Sequence, residues 1–104
     1  MFFPCPYLKA EIELTADRLE HIQESHPGTL PKYLSQLTET LADPDTIRRS
    51  DRNPQALLFS KWFTSIRNGR YIVVVVIRRE SHNWIVTVYP ARKLRGGLIE
   101  WTKE

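Results

Sequence analysis

The longest apolar run in the chain is Tyr71 to Ile77, YIVVVVI. It is too short to cross a bilayer, and its β-branched residues favour a strand over a helix. The run predicts a central strand buried on both faces, with Ile72, Val74 and Val76 on one side and Val73, Val75 and Ile77 on the other. Arg78 to Asn83 is polar and turn-forming, and Trp84 to Tyr89 alternates as a second strand, so the two make a hairpin. On the second strand Ile85, Thr87 and Tyr89 share a face, with Trp84, Val86 and Val88 on the other.

Upstream, Tyr7 to Leu14 alternates apolar and charged positions and predicts a short edge strand. Thr15 caps a first helix that runs to about His26 and is ended by Pro27 and Gly28. A second helix, with Thr29 as its N-cap and Pro31 in its first turn, carries the stripe Leu30, Leu34, Leu37 and Leu41. Asp43-Pro44-Asp45 stops it. Thr46 to Ser50 reads as a short strand and Ala56 to Phe63 as a longer one, with Leu57, Phe59, Lys61 and Phe63 on one face. Asn68-Gly69 turns the chain into the central strand, and a short tail ends at Trp101. Helices first and an antiparallel meander afterwards predict one α+β domain over residues 1–104.

Composition changes this picture little, but charge changes it more. Residues 1–45 hold three cations and eight acids, a net −5, whereas the remainder holds twelve cations and four acids, a net +8. That polarity fits a polyanionic partner for the second half, although lysine and arginine are also ordinary solvated decoration. MFFPCPY lacks the basic start and the apolar core of a signal peptide, and no segment is long enough to span a membrane. A lone cysteine, Cys5, excludes an internal disulfide and fits a reducing cytoplasm.

The candidate chemistry is acid–base work on an anion. His21, His26 and His82 form no ligand cluster with cysteines or acids, and neither a P-loop nor a dinucleotide fingerprint is present, so no metal and no cofactor is expected. On a regular helix His21 and His26 lie about 140° apart. Leu19, Ile22 and His26 form one stripe, which aims His26 at the sheet and leaves His21 on the polar side. His26 is then either an acid–base group or a hydrogen-bonded histidine that stops a helix. Thr87 and Tyr89, beside Arg92, either hold a phosphate or are simply good strand residues. Lys61 either snorkels at an edge or points into a polar groove. Arg92, Lys93 and Arg95 at the hairpin's exit make a platform for an anion.

The order of these parts resembles a family. His21 and His26-Pro27, the leucine-striped helix, Asp43-Pro44-Asp45, Phe59 with Lys61, and the final IVTVY strand look like the phage and bacterial nucleases related to barnase, EndoU, colicin E5/D and RelE. That resemblance implies two N-terminal helices packed on a four-stranded antiparallel sheet, with room for a fifth strand. It also implies metal-independent cleavage of RNA, tRNA among the candidates, with a toxin role and an antitoxin or immunity protein as partner. Position by position it makes His26, with His21 second, the acid or base. Lys61 and Arg92 become phosphate binders, Thr87 a positioning hydroxyl and Tyr89 a further contact, with Lys93 and Arg95 beside them. Gly28 stands where relatives often have an acid after His-Pro. Two other readings remain: a non-catalytic RNA- or protein-binding module, and a homodimer formed through the doubly apolar central strand.

Overall fold

The computed structural model describes all 104 residues. In chain order the elements are β1 (Phe2–Cys5), a 3-10 turn (Pro6–Leu8), β2 (Ala10–Glu13), α1 (Ala16–Ser25), α2 (Leu34–Ala42), β3 (Thr46–Arg49), β4 (Ala56–Phe63), β5 (Arg70–Ile77), β6 (Trp84–Ala91) and β7 (Leu98–Thr102). They form one seven-stranded sheet ordered β1-β2-β6-β5-β4-β3-β7. The expected four- or five-stranded antiparallel sheet behind two N-terminal helices is therefore wrong on three counts. A β-hairpin precedes the helices, β7 adds a far edge, and β2 joins β6 in parallel through Glu13 and Trp84. The result is a mixed sheet curled into a half-barrel.

The local reasons are visible in the residues. Pro4 donates no backbone hydrogen bond, and it is tolerated because β1 is an edge strand. Lys9, at φ +53, breaks the expected Tyr7–Leu14 strand after the 3-10 turn, so only Ala10–Glu13 stays extended. That strand is flanked on both sides and is not an edge. Tyr7 closes the curl: its hydroxyl donates to Glu100 at 2.5 Å, and its ring lies 6.0 Å from Trp101 of β7 and 6.2 Å from Phe59. The sheet's first and last strands are drawn together by that one side chain.

The central hairpin forms as expected. β5 is antiparallel to β4 and to β6, and Ile72, Val74 and Val76 are fully buried. They belong to the core that α2 covers with Leu37 and Leu41. β6 carries one extra residue, Val86, between the pairs Val75–Thr87 and Val76–Ile85. The Val86 carbonyl accepts from Arg18 of α1, from Nε at 3.1 Å and Nη2 at 2.7 Å. Helix α1 thus lies along the open side of β6, which β2 pairs only at its start. No helix is long and apolar enough to cross a membrane.

Two expectations about stability follow. The Thr15 hydroxyl accepts from the Arg18 amide at 3.2 Å, so Thr15→Ala should cost about 1 kcal/mol, read as a lower urea midpoint at unchanged m value. Burial would raise the Glu100 carboxyl, but hydrogen bonds from Arg78 and Tyr7 outweigh it and hold the group below its ordinary 4.5. A depressed folded pKa stabilises above the unfolded value, and that stabilisation is lost as pH falls through the folded one. Glu100→Gln should therefore be less stable than wild type near neutrality, with the gap closing in acid-unfolding curves as pH falls below the ordinary carboxyl range.

Candidate functional site

The site grows from the way β6 is joined to β7. Those strands are separated by β5, β4 and β3, yet only residues 92–97 connect them. Four strand spacings amount to about 19 Å. The path also runs lengthwise, because Ala91 lies level with Tyr71 while Leu98 lies level, through Arg49 and Leu57, with Val76. On a flat sheet the diagonal would be about 25 Å, close to what seven Cα steps can span. The curl of the sheet shortens it, and the segment crosses as a strap.

Side-chain alternation says which face the strap crosses. Ile47, Phe59, Ile72, Val74 and Val88 point into the helix-packed core. Arg48, Leu58, Ser60, Val73, Val75, Thr87 and Tyr89 therefore point the other way, in cross-strand rows Ser60–Val73–Tyr89 and Leu58–Val75–Thr87. Arg48 Nη1 donates to the strap carbonyls of Arg95 at 2.6 Å and Gly96 at 2.7 Å, which places the strap on this second face.

Between strap and sheet lies a cleft of about 520 Å³, lined in part by Arg48, Val73, Tyr89, Arg92, Lys93 and Arg95. It has four cations and no carboxylate in its wall, and none of the four takes part in an ion pair. Arg48 is buried at 5% exposure, and burial lowers its pKa from the ordinary value, an effect that the nearby Tyr89 opposes. His26 is not in the cleft wall, but its imidazole stacks on the ring of Tyr89, which is, with centroids 5.3 Å apart and planes 27° apart. His26 gets there because it is the C-cap of α1: its backbone N–H bonds the Ile22 carbonyl, and α1 runs along β6.

The structure thus brings together His26, Tyr89, Arg92, Lys93 and Arg95. Thr87 shares the face of Tyr89 one row away but does not line the cleft, and its buried Oγ1 has no hydrogen-bond partner. His21 is exposed and stands 3.4 Å from the Ser25 hydroxyl, away from the cleft. Lys61 shares the helix-packed face with Phe59, opposite to Tyr89. Its ammonium donates to the Asp43 carbonyl at 2.9 Å and carboxylate at 3.1 Å, with Asp45 at 3.7 Å. It ties β4 to the turn after α2 and does not reach the cleft. The Asp43 carboxyl is held below its ordinary value by Lys103 and by Lys61.

Arg48 is the residue the sequence reading passed over. A signal was present: in Thr46 to Arg49, once Ile47 is set into the core, alternation turns Arg48 to the opposite face. No group of three or more His, Cys, Asp or Glu side chains is placed to hold a metal ion.

Comparison with known proteins adds one finding. A family model described as phage-Barnase-EndoU-ColicinE5/D-RelE like nuclease2 matches residues 6–102. No curated protein and no solved structure matches the chain.

Proposed function

The chain belongs to the phage-Barnase-EndoU-ColicinE5/D-RelE like nuclease family, and from that premise we propose that it is a metal-independent endoribonuclease whose site is the strap cleft. The observation that carries this reading is the stacking of His26 on Tyr89, a wall residue of a cleft with four unpaired cations. Cations without carboxylates attract a phosphodiester and stabilise the added charge of a phosphorane. The His26 ring is fixed by its stack and by the helix end that carries it.

In this mechanism the 2′-oxygen of the substrate attacks the adjacent phosphorus. The O2′–P bond forms and the P–O5′ bond breaks, leaving a 2′,3′-cyclic phosphate and a free 5′-hydroxyl. One proton leaves the 2′-hydroxyl and one reaches the departing 5′-oxygen; His26 carries one of these transfers, the work for which imidazole is suited. Tyr89 orients the imidazole, and its hydroxyl contacts the phosphate. Arg92, Lys93, Arg95 and Arg48 surround the phosphate oxygens. Neither a serine nucleophile nor a bound metal is required, because the substrate supplies its own nucleophile.

The test is cleavage of single-stranded RNA and of its 2′-deoxy counterpart, each with a chelator present. RNA should be cut at an unchanged rate with chelator, and the deoxy strand should not be cut at all. A well-folded protein that binds varied RNAs and cuts none of them would make the cleft a binding module.

A further inference from the structure

The strap that carries three of the cleft's cations has an anchor with capacity to spare. Arg48 spends Nη1 on the carbonyls of Arg95 and Gly96. Gly97 follows at φ +74, and a methyl group on it would lie 2.7 Å from the Arg49 carbonyl oxygen. The strap is therefore pressed against the backbone of β3 as well as tied to it. Arg48 Nε is enclosed and no protein atom accepts its proton, whereas Nη2, which also bonds no protein atom, is not enclosed, and the residue lines the cleft. A buried guanidinium is costly unless its donors are used, and tying down the strap uses only one nitrogen.

We propose that Arg48 both positions the strap, so that Arg92, Lys93 and Arg95 converge on one phosphate, and donates from its unbonded Nη2 to that phosphate. The guanidinium is then a fixed contact at the cleft floor, while the three exposed cations close over the ligand from the strap. Lysine cannot replace it, since one ammonium on a flexible stem does not span two carbonyls and a ligand in a fixed plane. The inference rests on reading the cleft as a phosphate site, but it does not require that RNA be cut.

The experiment uses inorganic phosphate as the probe, titrated into the full chain and followed by amide NMR. Limited trypsin digestion within residues 92–95 reports the state of the strap. Arg48→Lys should weaken phosphate binding roughly ten- to a hundredfold, the span for hydrogen bonds to a charged group. Trypsin should cut its strap at least about tenfold faster, in keeping with a lost anchor of that size. Gly97→Ala keeps the guanidinium but lifts the strap off β3, and it should show the same two changes. It decides the positioning role by itself if Arg48→Lys fails to fold. Wild-type phosphate affinity in Arg48→Lys overturns the donor role, and wild-type affinity or wild-type resistance to trypsin in Gly97→Ala overturns the positioning role. A wild-type protein that binds phosphate through Arg48 but cuts no RNA would refute the ribonuclease reading and leave this inference standing.

Discussion

Replacing His26 with alanine should lower the rate of RNA cleavage by about 10²- to 10⁴-fold, the usual contribution of a positioned acid or base. The fold should survive. His26 is a half-buried C-cap whose helix-ending hydrogen bond is made by its backbone, and alanine keeps that bond. What is lost is the stack on Tyr89, about 0.5–1.5 kcal/mol for an aromatic pair, against a domain stability typically several times larger. Two companions separate the roles. Tyr89→Phe keeps the ring under the imidazole and removes the hydroxyl, so it should cost less than His26→Ala. His21→Ala should leave the rate nearly unchanged, since His21 is exposed and its side-chain hydrogen bond is to Ser25. Single-turnover rates with matched thermal unfolding curves check all three; equal activity of His26→Ala would keep an enzyme and remove its proposed acid–base residue.

The second large effect concerns binding. Changing Arg92, Lys93 and Arg95 together to alanine should lower the slope of log affinity against log salt by about 0.7, because the three serve one phosphate and each neutralised phosphate of a single strand contributes about that much. Raising salt from about 50 to 200 mM would then weaken binding roughly two- to threefold less in the variant than in wild type. Stability should barely change. None of the three side chains makes an ion pair, and the strap is held through the backbone carbonyls of Arg95 and Gly96, which alanine retains. An unchanged slope would move the binding face elsewhere on the basic half of the chain.

The parts of the fold legible in the sequence were those where period and punctuation agree. Ala56–Phe63 and the hairpin from the valine run to the last long strand are read correctly because alternation or continuous burial is unambiguous there and polar turns bound it. The first helix was legible from its Thr15 cap and its stripe. The second starts later than Thr29, at Leu34, because residues 30–33 form turns; Leu30 is buried without being helical. The sheet's two edge strands were not legible. β1 carries a proline and reads as an apolar start, and β7 follows two glycines that look like the end of structure. Partners of short strands are chosen by tertiary packing, so neither the parallel Glu13–Trp84 bridge nor the closure by Tyr7 has a local signature.

The same contrast governs the site. His26, Tyr89, Arg92, Lys93 and Arg95 were within reach because helix phase and nearness in sequence carry them to one place. Lys61 was misleading for a physical reason: a lysine on an aromatic strand face resembles a groove residue, but the Asp43-Pro44-Asp45 turn, 16 to 18 residues earlier in sequence, supplies its partners. Thr87 keeps the expected face with Tyr89 but lies one row from the cleft, and the Val86 bulge, which turns Ile85 into the core instead of onto that face, leaves no trace in composition. Arg48 lies more than 40 residues from the strap it bonds, with |i−j| of 47 to Arg95, so only the folded sheet brings them together.

The most direct measurement is mass spectrometry of the ends left on an oligodeoxynucleotide that contains a single ribonucleotide, incubated with the protein and a chelator. One cut is expected, immediately 3′ of the ribose, leaving a 2′,3′-cyclic phosphate on one fragment and a 5′-hydroxyl on the other. His26→Ala should abolish the cut within the same time course. Cuts at deoxy positions, 5′-phosphate ends, or no cut by a folded protein that retains the oligonucleotide would contradict this mechanism.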